Sequence, residues 1–166
     1  MTTGIEAIAD RQAIEDLIYR YCRSMDRMDH ALGYALWHED GEADYGTIYR
    51  GSGRNFVDWV CEQHRPMIAH SHQISNIIIE LDGDRAASES YVTVALRFSQ
   101  DGRLMQSTVH GRYIDRWSRR NGRWGVDKRI FALDFDDVRE ITGSHLEGWG
   151  RRDREDPSYE VLSARM

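Results

Sequence analysis

At 166 residues the chain has room for one domain with a sizeable core. Its 40% hydrophobic and 30% charged content suits a soluble globular protein, and no run approaches the about 20 apolar residues of a membrane span. A formal net charge of −6 with scattered basic residues disfavours nucleic-acid binding as a main role. The N-terminus, Met1 to Glu6, lacks the basic and apolar regions of a signal peptide, and Cys22 and Cys61 both fall in predicted helices. Reduced thiols in a cytoplasmic protein, with no disulfide frame, are the expectation.

The first predicted helix runs from Ile5 to about Arg27, with Ile14, Leu17, Ile18, Tyr21 and Met25 as its apolar stripe. Asp29 is a good N-cap for a short second helix over His30 to Trp37. Glu39-Asp40-Gly41 reads as a turn, and Glu42–Tyr45 with Thr47–Arg50 as a hairpin around Gly46. A third helix starts at Ser52 or Gly53, carries Phe56, Val57, Trp59, Val60 and Gln63, and ends at Arg65-Pro66.

Beyond Pro66 the period changes. Four β segments follow, 69–81, 85–99, 104–118 and 123–135. They are separated by Asp82-Gly83-Asp84, Gln100-Asp101-Gly102 and Asn121-Gly122, which carry Asp-Gly and Asn-Gly hairpin signals. Ser90, Val92, Val94, Leu96 and Phe98 alternate with Glu89, Tyr91, Thr93 and Arg97. Helices followed by an antiparallel meander predict an α+β domain in which a curved sheet wraps three N-terminal helices. Residues 138–166, broken by Gly143, Gly148, Gly150 and Pro157, read as a tail docking on the body or on a partner subunit.

Two positions bear on chemistry. Asp26 sits in the last turn of the first helix, where the macrodipole makes a carboxylate unfavourable by about 0.3–1 kcal/mol. Burial adds to that cost unless a cation or donor compensates. The segment Ala69-His70-Ser71-His72-Gln73-Ile74-Ser75-Asn76 is polar on both faces before turning apolar, as a strand does when one end lines a polar pocket or lies exposed. His72 is the group that could compensate Asp26, with His70 as its rival; His64 and His38 read as solvated. His70 and His72 share a strand face, but no third ligand with metal-site spacing accompanies them. No Gly-rich phosphate loop and no Gly-x-Ser-x-Gly elbow occur, so neither a nucleotide cofactor nor a serine nucleophile is expected.

The helix carrying Tyr21-Cys22-Arg23-Ser24-Met25-Asp26, the aromatic third helix, His72-Gln73-Ile74-Ser75-Asn76 and the hairpins ending in Asn121-Gly122-Arg123-Trp124 together resemble the SnoaL-like branch of the NTF2-like superfamily. The resemblance covers roughly residues 5–137, taken as one domain, and implies an NTF2-like cone. The first helix resembles that of bile-acid 7α-dehydratases, which also place a Tyr five residues before a catalytic Asp. The Asp and His positions are similar to those of scytalone dehydratase and hexachlorocyclohexane dehydrochlorinase. By this resemblance His72 is the base of a β-elimination, Asp26 its orienting partner and Tyr21 a donor to substrate or leaving group. Tyr21 could equally be core packing with its hydroxyl at the edge.

The same resemblance puts His110 where scytalone dehydratase has a second histidine, although strict alternation sets it with Arg112 and Arg116, with Gly111 as a possible bulge. Arg129 shares a face with Phe131, Leu133 and Phe135; it is either a cation in an apolar cavity or an ion-pair partner of Asp26, Asp127 or Asp134. Tyr34, Trp37, Phe56, Trp59, Val60, Met67, Asn76 and Phe131 are the expected pocket residues. The function implied is a lyase (dehydratase) or isomerase, without cofactor or metal, acting on a hydrophobic cyclic small molecule. Alternatives are a non-catalytic ligand-binding or assembly domain and the small subunit of a ring-hydroxylating oxygenase. A homo-oligomer, dimer or trimer, is expected by the same resemblance, with Tyr91, Tyr113 and Trp117 as candidate residues of an outer sheet face.

Overall fold

Buried residues in the first helix recur as one side of a helix requires: Asp10, Ile14, Ile18, Tyr21 and Met25 are three or four positions apart. The computed structural model describes residues 4–142, 148 and 150–162. In it this helix, α1 (Gly4–Arg27), lies against a mixed six-stranded sheet together with α2 (His30–Tyr34) and α3 (Gly53–His64). The result is the expected α+β cone, a curved open sheet with its helices toward the N-terminus. Among the described residues no helix is long and apolar enough to cross a membrane.

The strands are β1 (Trp37–Asp44), β2 (Arg50–Ser52), β3 (Ala69–Asp82), β4 (Arg85–Gln100), β5 (Arg103–Arg120) and β6 (Arg123–Glu140), ordered β2-β1-β6-β5-β4-β3. The β1–β6 pair is parallel and the other pairs are antiparallel. The predicted hairpin turns are present. Gly83, the pair Asp101-Gly102 and the pair Asn121-Gly122 take the positive φ angles that tight hairpins need.

The segment between α2 and α3 differs from its sequence reading. Asp29 caps α2 as expected, its Oδ1 accepting from the Leu32 N–H at 3.2 Å. The helix then stops at Tyr34, and Trp37 opens a strand instead of closing a helix. The pairing begins even before Trp37, since Val126 N–H donates to the Leu36 carbonyl at 2.9 Å. Glu39-Asp40-Gly41 is not a turn but the irregular middle of β1. A Cβ on Gly41 would stand 2.6 Å from the Val126 carbonyl oxygen, so this glycine allows two backbones to approach. The turn at Gly46 exists, but its return strand is only Arg50–Ser52.

Alternation in β4 came out as read: Ser90, Val92 and Val94 are buried. Tyr113 and Trp117 are buried too, so they belong to the inner face and not to an outer one. The outward neighbours Tyr91, Ile114 and Ile130 are exposed. At the C-terminal end β6 continues to Glu140, past the start of the predicted tail, and a short α4 (Pro157–Leu162) follows. Arg23 Nη1 donates to Ser158 Oγ at 2.9 Å and its guanidinium lies over the Tyr159 ring; Tyr159 Oη donates to Asp29 Oδ2 at 2.8 Å. Of the tail residues, 143–147 (Gly143 among them), 149 and 163–166 lie outside the described residues.

Candidate active site

Asp26 ends α1 directly opposite the start of β3. Both of its carboxylate oxygens accept from the His72 backbone N–H at 3.1 Å, and Oδ1 lies 2.7 Å from His72 Nδ1. The unfavourable helix-terminal position is thus offset by a main-chain donor and an imidazole. The His72 side chain is only 6% exposed and the Asp26 side chain 15%. With Nδ1 held by the carboxylate, the proton sits on Nδ1 and the Nε2 lone pair is the free basic position.

His72 opens onto a cavity of about 320 Å³. Five predicted pocket residues line it: Phe56, Trp59 and Val60 from α3, Met67 from the following turn, and Phe131 from β6. Tyr21 reaches its floor, where its hydroxyl is 3.2 Å from that of Tyr45. Tyr45 stacks on Phe56 at 4.0 Å between centroids and on Phe131 at 5.3 Å, closing one wall. Burial, reinforced by the neighbouring phenols, pushes the Tyr21 hydroxyl well above its ordinary range, so it stays a neutral donor. No formally charged side chain among the described residues lines the cavity.

The other predicted residues are elsewhere. Trp37 is completely buried beneath the helices, its ring packed where a Cβ on Gly53 would have to stand, so it is core and not wall. Tyr34 turns outward and donates to Asp58. Asn76 lies at the irregularity between Ser75 and Ile78 with φ 49°, exposed and away from the cavity. His110 pairs with Thr93 on the outer side of the sheet; its ring stacks on Phe135 at 4.5 Å. The bulge at Gly111 falls between β5 and β6 and does not turn His110 inward.

Arg129 is neither a cavity wall nor a partner of Asp26, Asp127 or Asp134. It makes a two-point ion pair with Asp115, Nε to Oδ1 at 2.8 Å and Nη2 to Oδ2 at 2.7 Å. Its guanidinium lies 4.0 Å from the Tyr113 ring centroid and 4.5 Å from that of Tyr21. The aligned β5–β6 register, Asp115 opposite Arg129, creates the pair.

The sequence reading missed His64, Tyr45 and Tyr113 as cavity residues. His64 and His38 are buried, not solvated: the α3 stripe Phe56, Val57, Cys61, His64 faces inward, and His38 Nε2 lies 2.9 Å from the Ser118 carbonyl. A signal for His64 was available, because it falls three positions after Cys61 on that stripe. Among the described residues no group of His, Cys, Asp and Glu side chains is arranged to hold a metal ion.

His64 and His70 predict the acid limb of stability. Burial and the neighbouring His70, His72 and Arg152 push His64 down to about 3; burial, outweighing the attraction of Asp26, pushes His70 down to about 4. An unfolded histidine titrates near 6.5. Between those values the unfolded chain binds more protons, so stability is complete above about pH 7 and falls as the pH drops through 6.5 toward 4. At pH 5 the two rings together account for a loss on the order of 2–4 kcal/mol. Urea unfolding at pH 7 and pH 5 should show it, and a His64→Leu/His70→Leu variant should show a shallower decline. An equal decline in that variant would refute the assignment.

Comparison with known proteins fits the cone. The SnoaL-like domain model matches residues 6–130. The structure is similar to hexachlorocyclohexane dehydrochlorinase LinA-type3 from Novosphingobium barchaimii LL02, with a TM-score of 0.74 and 17% identity over 88% of this chain and 99% of that one. It is similar to a scytalone dehydratase candidate from Novosphingobium aromaticivorans DSM 12444, with a TM-score of 0.70 and 21% identity over 87% and 96%. The Kfla4162 protein from Kribbella flavida gives a TM-score of 0.71 and 18% identity over 79% and 95%. At these identities the likeness is one of fold. No curated protein matches the sequence.

Proposed function

Because the chain belongs to the SnoaL-like domain family, whose fold hosts many chemistries, its activity has to be argued from the site itself, and we propose a cofactor-independent lyase or isomerase. Its substrate is a hydrophobic cyclic small molecule. One observation carries this reading: an imidazole held by a carboxylate at 2.7 Å opens onto an apolar cavity. His72 Nε2 removes a proton from carbon, which neutral imidazole does well near pH 7. Asp26 fixes the tautomer and stabilises the imidazolium that forms. Tyr21, a neutral donor at the floor, assists the leaving group or a developing negative charge. Two structural neighbours bear the names of a dehydrochlorinase and a dehydratase candidate, both eliminations, which agrees with the reading.

Size narrows the substrate. A cavity of about 150 Å³ accommodates benzene. Some 320 Å³ therefore suits one or two rings better than four. The absence of a charged lining residue among those described favours a neutral molecule, since a desolvated ion there would have no counter-charge. The test is a panel of one- and two-ring compounds with a hydroxyl or halide β to an acidic C–H. Wild type should eliminate at least one, and His72→Ala should lower that rate about 10²–10⁴-fold with unchanged circular dichroism. Undiminished turnover in a folded His72→Ala protein would sink the mechanism; lost stability with no turnover by wild type would favour a ligand carrier.

A further inference from the structure

His70 meets the dyad without reaching the cavity. It lies two residues before His72 on the same face of β3, opposite Leu96 as His72 lies opposite Val94. Leu96, His72 and Val94 line the cavity, and His70 does not. Its ring reaches the end of α1, where it donates a hydrogen bond to the Asp26 backbone carbonyl. Its Nδ1 lies 3.2 Å from Nδ1 of His64, the last residue of α3. The His64 carbonyl in turn accepts from Arg152 Nη1 at 2.9 Å. His70 is thus the joint at which β3 meets the ends of α1 and α3.

The chemistry of helix ends explains a donor at this point. The last four carbonyls of an α-helix have no partner inside it and need donors from elsewhere. At the end of α1 the Ser24 carbonyl accepts from Asp29 N–H at 2.9 Å, and the Met25 carbonyl from Met28 N–H at 3.2 Å. Asp26 comes next, and its carbonyl takes the imidazole, as histidines near helix C-termini provide. One strand therefore holds Asp26 twice. The His70 ring holds its carbonyl, and the backbone N–H and ring of His72 hold its carboxylate. Terminal turns fray. A second hold on the main chain keeps this turn closed and its carboxylate in place. Burial lowers His70 to about 4, so at pH 7 the ring is neutral. It orients Asp26 without setting a rival cation beside the imidazolium that forms on His72, whose ring centroid is 6.3 Å away.

We infer that His70 is a positioning residue of this site: by closing the end of α1 it sets the Asp26 carboxylate against His72 Nδ1. The inference rests on the proposed function, since it assigns His70 to the support of the same base. The two histidines of one strand face divide the task. His72 takes the proton from substrate, and His70 holds the residue that orients His72. Without His70 the last turn of α1 opens, the 2.7 Å contact lengthens, and part of the His72 population loses the proton on Nδ1.

Two readouts test it on protein shown to be folded by circular dichroism. In isotope-labelled wild type the His72 Nδ1 proton, in a short bond to a carboxylate, should resonate downfield. His70→Leu should move that signal upfield or lose it to exchange. A lowered Tm with the signal unmoved would mean a merely structural role and overturn the proposal. The kinetic readout is a double-mutant cycle on a substrate that wild type turns over. His70→Leu should lower kcat about 10–10²-fold with KM changed much less. In the Asp26→Asn background the same change should cost less than about twofold, because the residue through which His70 acts is already disabled. Equal losses in both backgrounds overturn the assignment. His70→Asn and His70→Gln place an amide donor near one or the other ring nitrogen. One of them should keep the His72 signal and recover part of the rate; recovery by neither overturns the proposal, and this comparison decides it if His70→Leu does not fold. With no turnover by wild type, the His72 signal alone decides. Undiminished turnover in His72→Ala would show that the dyad reading itself has failed.

Discussion

Asp115→Ala should cost about 3–5 kcal/mol of folding stability, or prevent folding outright, without touching the cavity wall. The Arg129 and Asp115 side chains are both 0% exposed, and each makes two hydrogen bonds to the other. Removing the carboxylate strands a guanidinium between the Tyr21, Tyr113 and Trp37 rings, whose faces attract a cation but cannot replace a counter-ion. Set against a total stability of about 5–15 kcal/mol, that loss is large. For a chain of this length each kcal/mol lowers Tm by about 2–4 °C, so a fall of roughly 6–20 °C is expected in a thermal scan. Replacing both partners by apolar residues, Asp115→Leu with Arg129→Met, should recover much of it, since the desolvation cost of the pair vanishes with the pair. A Tm for Asp115→Ala within 2 °C of wild type would show that Arg129 is not held by this ion pair.

The same pair shows where sequence reasoning stops. That Arg129 was special could be read from its sharing a strand face with Phe131, Leu133 and Phe135, but its partner could not. Opposition of Asp115 and Arg129 depends on the register of β5 against β6, which shifts at Gly111 and between Arg116 and Trp117. Elements set by local rules were legible: the α1 stripe, the Asp29 cap, the alternation in β4 and the Asp-Gly and Asn-Gly turns. Gly41 misled because turn chemistry and close backbone approach both call for glycine, and only β6 lying alongside decides between them. Trp37 looked like a pocket wall because an apolar aromatic next to a predicted cavity has the same signature whether it faces the void or the core. His64 was passed over on polarity alone, although its place on the α3 stripe pointed inward. Asp26, by contrast, could be read as needing a donor from outside the helix, because it is a carboxylate beside an apolar stripe at a helix C-terminus, and the family resemblance singled out His72 over its rival His70.

Asp26→Asn should lower kcat by about 10⁴-fold and leave the fold in place, and the reason lies in the backbone of β3. Both Asp26 oxygens now face donors: the His72 N–H at 3.1 Å from each, and Nδ1–H at 2.7 Å from Oδ1. An asparagine amide has one oxygen and one NH₂ group to satisfy these positions. Either amide orientation leaves an oxygen 3.1 Å from the His72 backbone N–H, and the one with the NH₂ in the Oδ1 position points it at Nδ1. In that orientation imidazole accepts at Nδ1, and its proton moves to Nε2, the proposed basic position. The base is lost through its tautomer, not through its position. Stability should change little, since the backbone hydrogen bond survives and the neutral amide removes an unfavourable charge from the helix C-terminus. The protonated nitrogen of His72 can be read from proton–nitrogen spectra, and kcat from any substrate that wild type turns over. A variant with His72 still protonated at Nδ1, or one within tenfold of the wild-type kcat, would show that Asp26 does not set the state of the base.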